Sequence, residues 1–178
     1  RDGHAEADPG GADGTPVLAS LDDATDALRV AKCANPACTG VATVTTVDDP
    51  VNLLRFDAAV AVPADGLPII AYLDYTARTL KAAKCLNQAC TGGATISVVD
   101  DPSNNLCCDV GIAVGSDGLP VIAYRDESAG SLKVARCANA SCTGVATITT
   151  VDDSSNSVGY ELSIAIGADG LPVISHHD

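Results

Sequence analysis

Residues 117–142 read DGLPVIAYRDESAGSLKVARCANASC, and this stretch decides the fold because it recurs along the chain. The Asp-Gly-x-Pro motif that opens it occurs four times in the 178 residues, always 52 residues apart, starting at Asp13, Asp65, Asp117 and Asp169. The Cys-x4-Cys pair that closes the stretch keeps the same period. No insertion or deletion breaks the register, which indicates a repeat architecture.

Each period contains four apolar segments separated by turn residues, and in one period they span 109–114, 119–124, 132–137 and 146–151. Segments of this length, rich in Val, Ile, Thr and Ala, predict β-strands. Several are apolar on both faces, which predicts sheets that are covered on both sides. Four antiparallel strands in a repeat of about 50 residues are typical of a propeller blade. The predicted fold is therefore all-β, with propeller-type four-stranded antiparallel blades.

The repeat also carries a family resemblance. Residues 169–175 (DGLPVIS) and 132–137 (LKVARC) resemble the 52-residue repeats of secreted bacterial β-propeller proteins, written DGLPVI…LKVAxCxxxxC. The resemblance covers the chain after residue 12 and implies an extracellular propeller. Because that family has no single assigned activity, the resemblance implies no catalytic residues.

The period divides the chain into a polar tail, 1–12, and one repeat domain, 13–178. The repeats are 13–64, 65–116, 117–168 and a partial repeat, 169–178. Because the tail is rich in Gly and polar residues, we expect no first strand in the first blade. The chain then holds 13 strands, about three and a quarter blades.

So few blades cannot close a ring, since known propellers have four or more. We expect the first strand of the C-terminal blade to complete the N-terminal blade of another copy. Such a head-to-tail contact yields a closed oligomer or a filament, depending on its rotation. The alternative is that the chain is a fragment of a longer propeller.

Eight cysteines indicate an oxidising compartment, which places the protein outside the cell or at its surface. Six of them form the periodic pairs at the turn between the third and fourth strands, and we predict the disulfides Cys33–Cys38, Cys85–Cys90 and Cys137–Cys142. Structural zinc is disfavoured because it prefers Cys-x2-Cys spacing.

Cys107 and Cys108 lie outside the repeat. They occupy the positions of Arg55-Phe56 and Gly159-Tyr160 in the neighbouring periods. Three interpretations stay open: a vicinal disulfide, a cross-link between two subunits, or a pair of buried thiols.

The net charge of −13 argues against nucleic acid and against anionic membranes as partners, and no apolar run is long enough to enter a bilayer. Most acids fall in loops at one end of the strands, where carboxylates suit calcium. The possible ligands are Asp57, Asp109, Glu161, Asp74 and Asp126. The alternative is a solvated acidic face that uses Asp for turns, and no other cofactor is expected.

Six of the ten basic residues lie in phase on the third strands, where we expect the outer, wetter part of each blade. They are Arg29, Lys32, Lys81, Lys84, Lys133 and Arg136.

No motif for catalysis is present, and we expect no enzyme. His176 is in phase with Tyr72 and Tyr124, two tyrosines that serve either as sugar platforms or as packing between blades. The expected function is a non-enzymatic extracellular module that assembles with other copies of itself. Two alternatives are a carbohydrate-binding propeller lectin, with glycans as partners, and a calcium-dependent adhesion module.

Overall fold

The computed structural model describes residues 6–8, 13–22, 24–49, 54–101, 106–153 and 158–177, with the backbone alone for 6–8 and 55–57. These residues form strands and turns without any helix. The strands are β1 (Glu6–Asp8), β2 (Val17–Leu21), β3 (Leu28–Lys32), β4 (Thr43–Asp48), β5 (Leu54–Ala61), β6 (Ile69–Asp74), β7 (Thr79–Cys85), β8 (Ala94–Asp100), β9 (Leu106–Val114), β10 (Pro120–Asp126), β11 (Ser131–Arg136), β12 (Thr147–Asp152), β13 (Tyr160–Ile166) and β14 (Pro172–His177).

The strands form four antiparallel sheets in chain order, each built from hairpins between consecutive strands. Sheet I holds β1–β4, sheet II holds β5–β8, sheet III holds β9–β12, and sheet IV holds β13 and β14. The predicted all-β class and the four-stranded antiparallel units are therefore confirmed for three sheets.

The Asp-Gly motif repeats because it builds the turn between the first and second strands of each sheet. In sheet III, Asp117 Oδ1 accepts a hydrogen bond from the backbone N–H of Leu119 at 3.1 Å. Gly118 has a φ of 78°, a left-handed conformation that glycine adopts without a steric penalty. Asp65 and Asp169 accept the same backbone hydrogen bond in their own turns.

The second strands are the most deeply buried elements. Every residue of β6 and of β10 is buried, because neighbouring sheets cover both faces of these strands. The fourth strand β12 lies at the outer edge and is largely exposed. This difference explains why the second strands are apolar on both faces, whereas the fourth strands are rich in Thr.

Consecutive sheets are held together by apolar side chains. We call the face of a sheet that contacts the preceding sheet its front face, and the opposite face its back face. The back face of sheet I and the front face of sheet II share one core, which includes Val17, Ala19, Val30, Ile70, Tyr72 and Ala83. Sheets II and III share a second core, and sheets III and IV share a smaller one.

The first sheet differs from the prediction. Glu6–Asp8 forms β1 and pairs with β2, with Glu6 opposite Ala19 and Asp8 opposite Val17. The expectation that the first blade lacks its first strand was therefore wrong, and the described chain has 14 strands rather than 13. A strand of three residues needs only backbone hydrogen bonds, so it forms without the apolar alternation that identifies longer strands.

Candidate functional site

The three periodic cysteine pairs are disulfides, as predicted. Their Cα–Cα distances are 5.0, 4.9 and 4.9 Å, and each bond closes the turn between the third and fourth strands of its sheet. Within the turn, the Asn139 side chain accepts hydrogen bonds from the backbone N–H groups of Ser141 and Thr143. Asn35 and Asn87 do the same in their own turns.

Tyr72 and Tyr124 connect neighbouring sheets. The Tyr72 hydroxyl donates to Asp48 Oδ2 at 2.7 Å, and the Tyr124 hydroxyl donates to Asp100 Oδ2 at 2.6 Å. Each acceptor ends the fourth strand of the preceding sheet. In the third copy, His176 Nε2 lies 3.7 Å from Asp152 Oδ2.

Both tyrosine side chains are fully buried, with no exposed surface. Burial and then the hydrogen bond to Asp48 raise the pKa of Tyr72, and burial and Asp100 raise the pKa of Tyr124 in the same way. Both phenols therefore stay protonated donors. The sugar-platform interpretation was wrong, because a ring that solvent cannot reach offers no surface to a sugar.

Two of the residues considered for calcium are held by lysines instead. Asp74 is 1% exposed, and its carboxylate accepts from Lys81 Nζ and from the Ala77 N–H, both at 2.8 Å. Asp126 repeats the arrangement with Lys133 Nζ at 2.6 Å and the Ala129 N–H at 3.0 Å. These carboxylates carry a cationic partner already, which does not suit a calcium ligand.

The other calcium candidates do not assemble either. Asp109 and Glu161 join no group of three or more ligand side chains among the residues that the structure describes. The side chain of Asp57 lies outside the described residues. The structure therefore does not bring together the four predicted acids whose side chains it describes.

The basic residues of the third strands all pair with aspartates, in two rows. The first row joins Arg29 to Asp22, Lys81 to Asp74, and Lys133 to Asp126. The second row joins the Asp-Gly turns to the ends of the third strands through Lys32–Asp13, Lys84–Asp65 and Arg136–Asp117. Lys84 is buried, so this position differs from the predicted wet outer surface.

The clearest departure from the repeat is a cluster between sheets III and IV, which we call the aperiodic cluster: Cys107, Cys108, Arg125, Glu127 and Tyr160. Its cysteines form a vicinal disulfide with a Cα–Cα distance of 3.7 Å, the first of the three interpretations left open above. In the preceding period, the positions of Arg125 and Glu127 hold Leu73 and Tyr75.

Arg125 organises this cluster. Arg125 is 1% exposed, and its Nε donates a hydrogen bond to the Val158 carbonyl at 3.1 Å. Its Nη1 donates to Cys107 Sγ at 3.3 Å and forms an ion pair with Glu127. The guanidinium carbon lies 4.1 Å from the centre of the Tyr160 ring, in the geometry of a cation–π contact.

Sequence reasoning identified the two cysteines but missed Arg125 and Glu127. Both lie in a segment that otherwise follows the repeat, so the strand pattern conceals them. The available signal was the replacement of an apolar residue, Leu73, by a charged one at the same position of the next period.

Sheet IV is the least covered part of the described structure. Val173 on β14 is 62% exposed, whereas Ile69 and Val121 at the same position of sheets II and III are 0% and 2% exposed. Among the described residues, no strand pairs with β14 on the side away from β13. The back face of sheet IV therefore presents apolar surface that the equivalent sheets bury.

Comparisons with known proteins bear on the fold. No protein-family model and no curated protein matches the chain. In the described parts of the chain, no helix is long and apolar enough to cross a membrane.

Solved structures show the same architecture. A protein of unknown function from Dyadobacter fermentans superposes with a TM-score of 0.64 at 11% identity, over 92% of this chain and 54% of that protein. An exo-β-1,3-galactanase from Phanerochaete chrysosporium superposes with a TM-score of 0.55 at 15% identity, over 83% of this chain and 35% of the galactanase chain. An endo-arabinase from Bacteroides thetaiotaomicron superposes with a TM-score of 0.52 at 12% identity, over 92% of this chain and 66% of the arabinase chain.

The chain thus spans about half the length of the Dyadobacter protein. At these identities the likeness concerns the fold alone. The four disulfides suit an oxidising compartment outside the cytosol. The chain is an all-β protein of serially packed antiparallel sheets, with the architecture of β-propeller-like proteins.

Proposed function

We propose that the protein is a non-enzymatic extracellular module, a propeller arc of three and a half blades that assembles head-to-tail with copies of itself. One observation carries the proposal: the two outermost faces of the described arc present, at equivalent repeat positions, the apolar residues that form its internal sheet–sheet contact. The resemblance to secreted repeat propellers supports the extracellular setting. The first blade needs no strand from another copy, because β1 fills the place of its first strand.

The internal contact has a fixed composition. Val17 and Ala19 on a back face meet Ile70, Tyr72 and Ala83 on the next front face. On the front face of sheet I, the positions of Ile70 and Ala83 hold Leu18 and Ala31, because neighbouring residues of a strand point to opposite faces. They lie opposite each other in the β2–β3 pair and are partly exposed.

The back face of sheet IV supplies the other half. Val173 corresponds to Val17, Ile69 and Val121, each of which is buried against the following sheet. A second copy that places its Leu18 surface over Val173 would reproduce the apolar part of the internal contact, while Ser20 stands at the position of Tyr72. Such a heterologous contact closes into a ring or continues as a filament, depending on the rotation between copies.

The edge of β14 along which no described strand lies is a second surface on which a neighbouring copy could bind. The third strand of each complete sheet bonds to this edge of the second strand, as β11 bonds to β10 over residues 121–126. A strand contributed by the neighbouring copy would pair with the backbone groups at this edge of β14, in the manner of β-augmentation.

The test uses the whole chain with Glu introduced on either face. Leu18→Glu and Val173→Glu should each abolish assembly in multi-angle light scattering and sedimentation velocity over a range of concentrations. An equimolar mixture of the two variants should form heterodimers and stop there, because each variant keeps one intact face. Val145→Glu, at a 91% exposed loop position, is the matched control and should assemble like the parent protein.

A parent protein that stays monomeric at every concentration would overturn the proposal and would point to further polypeptide of a longer propeller as the natural cover. Assembly of Val173→Glu at the parent level would overturn it as well. Failure of the mixed variants to pair would exclude the head-to-tail arrangement and favour a symmetric contact.

Carbohydrate binding is the second candidate. The observation that favours it is the fold shared with a galactanase and an arabinase. Tyr72 and Tyr124 play no part in this candidate, since both are buried. Calorimetric titration of the parent protein with β-1,3-galactan oligosaccharides and with arabinan oligosaccharides tests this candidate. If neither titration gives a heat of binding, carbohydrate binding is excluded for these two sugars.

The calcium-dependent module is not proposed, because lysines hold Asp74 and Asp126.

A further inference from the structure

We propose that the Cys107–Cys108 bond is a thiol–disulfide exchange site, at which an external thiolate attacks Cys108 and releases Cys107 toward Arg125. The ligand class is a thiol, either a small molecule or an exposed cysteine of another protein. The proposal is independent of the assembly described above.

The two residues of this bond differ in exposure. Cys107 is 6% exposed and contacts Arg125, whereas Cys108 is partly exposed. An incoming thiolate therefore reaches the Cys108 sulfur more readily. The buried hairpin bonds Cys85–Cys90 and Cys137–Cys142 offer no such access, since their residues are at most 2% exposed.

Arg125 is placed to receive the leaving thiolate. A guanidinium beside a sulfur stabilises its anionic form, and a more stable thiolate leaves faster. Arg125 Nη1 lies 3.3 Å from Cys107 Sγ. The hydrogen bond to Val158 and the contact with the Tyr160 ring hold the guanidinium in this position before any bond breaks.

Glu127 is the second charged group at the site. Its Oε2 lies 2.7 Å from Cys107 Sγ and also pairs with Arg125. A disulfide sulfur has no proton to donate, so this contact becomes a hydrogen bond only after reduction, when the Cys107 thiol donates to the carboxylate. In the exchange step itself, the negative charge of Glu127 opposes the thiolate and competes with it for Arg125.

The backbone is unusual at the same point. Cys108 has a φ of 81°, in the left-handed region that non-glycine residues seldom occupy. The pairing of β9 with β10 also shifts register here, between the partners of Tyr124 and Asp126. Strained backbone that the surroundings hold in place is concentrated at functional sites.

The chemistry balances with thiols as the reductant. A thiolate RS⁻ attacks Cys108 Sγ, the bond between the two protein sulfurs breaks, and its electron pair leaves on Cys107 as a thiolate. The product is a mixed disulfide between R and Cys108. A second RS⁻ then attacks the R sulfur and yields RSSR and the Cys108 thiolate. Two thiols have supplied two electrons, and the protein sulfurs take up protons from water.

The test follows exchange with glutathione by quenched mass spectrometry of the whole protein. The expected first product carries one glutathione, located on Cys108 by peptide mapping, while the three hairpin disulfides stay intact. The Cys33–Cys38 bond is the control for exposure, because Cys38 is exposed and the pair has ordinary hairpin geometry. Reaction at Cys33–Cys38 at an equal or higher rate would overturn the proposal.

Two variants separate charge from access. Glu127→Gln should raise the rate constant of the first step about threefold, because it removes the negative charge next to the leaving sulfur. Arg125→Lys should lower the rate constant of the first step, because it removes the Nη1 group beside Cys107 Sγ, while it keeps a positive charge in the core. A lower rate for Glu127→Gln would overturn the assigned role of the charges, and this variant remains informative if Arg125→Lys fails to fold, since the Glu127 side chain is 38% exposed. Attachment of glutathione to Cys107 instead of Cys108 would contradict the direction of attack.

Discussion

Tyr72 on sheet II donates a hydrogen bond to Asp48 on sheet I, and Tyr124 repeats this bond to Asp100 one period later. The bond joins the buried second strand of one sheet to the end of the outer strand of the preceding sheet. A second polar contact accompanies it, from the Thr45 hydroxyl to the Ala89 carbonyl at 3.0 Å. Apolar packing thus supplies the area of the sheet–sheet contact, and these hydrogen bonds define its register.

The first prediction concerns the phenol. Tyr72→Phe should lower the free energy of unfolding by about 1.5 kcal/mol, because it removes a buried donor to a charged acceptor and keeps the ring. Urea unfolding monitored by circular dichroism measures this change in the free energy of unfolding. Tyr124→Phe removes the equivalent bond to Asp100 and should give a loss of similar size. Equal stability of Tyr72→Phe and the parent protein would show that the hydrogen bond contributes nothing net.

The third copy of this contact has histidine in place of tyrosine. His176 Nε2 lies 3.7 Å from Asp152 Oδ2, longer than a hydrogen bond. His176→Tyr should therefore restore the contact seen at Tyr72 and stabilise sheet IV by about 1 kcal/mol. Slower amide hydrogen exchange in β13 and β14 would report it. The gain should vanish in the double variant with Asp152→Ala, and a gain that persists there would contradict the proposed bond.

Ion pairs provide a comparison within sheet III. Asp126→Asn should destabilise the protein by about 3 kcal/mol, because the Asp126 carboxylate is buried and its loss leaves Lys133 without its partner charge. Asp117→Asn should cost less than about 1 kcal/mol, since the Asp117–Arg136 pair has half of its arginine side chain exposed. Both amides keep the oxygen that accepts the backbone hydrogen bond, so thermal unfolding of the two variants isolates the ion pair. Equal losses of stability in the two variants would contradict the expectation that the buried ion pair contributes more than the exposed one.

The strands and hairpin disulfides could be predicted because both follow a period of 52 residues, and strand alternation and turn chemistry act locally. β1 could not, because the three residues Glu6–Asp8 are too few to show the apolar alternation that identifies a strand. The calcium hypothesis failed at Asp74 because its partner, Lys81, approaches it only once the β6–β7 hairpin forms. The two residues were already in phase with Asp126 and Lys133, so the constant spacing of seven residues was a usable signal.

The tyrosines illustrate the other limit. Asp48 and Tyr72 are 24 residues apart, and the same separation recurs between Asp100 and Tyr124. The sequence shows this coincidence of periods, yet contact requires that consecutive sheets stack face to face. Arg125 was harder still, because a single aperiodic residue becomes meaningful only when Cys107, Glu127 and Tyr160 are seen around it.

Acid should weaken the fold through its aspartates. Hydrogen bonds from Thr15 and Lys32 lower the pKa of Asp13, and those from Thr25 lower the pKa of Asp22. Burial alone would raise the pKa of Asp65, but the hydrogen bonds from Lys84 and Leu67 and the Lys84 charge lower it overall.

Since these folded-state pKa values lie below the unfolded value of about 3.9, the unfolded chain binds more protons in acid. The stabilisation is complete above about pH 5 and is lost as the pH falls through the folded values. Chemical unfolding at a series of pH values between 6 and 2.5 measures the slope of the unfolding free energy against pH. Lys84→Met should flatten it by removing the cation beside Asp65, and an unchanged slope would contradict the assignment.

The last prediction separates the hairpin disulfides from the vicinal one. Replacing Cys85 and Cys90 together by Ala should lower the free energy of unfolding by about 2 kcal/mol, the loop-entropy value for so short a loop. Replacing Cys107 and Cys108 together by Ser should cost less, because a bond between adjacent residues closes almost no loop and barely restricts the unfolded chain. Urea unfolding of the two double variants tests the difference. A larger loss for the vicinal pair would show that this bond stabilises the fold through its native contacts, and that its position beside Arg125 serves structure before exchange.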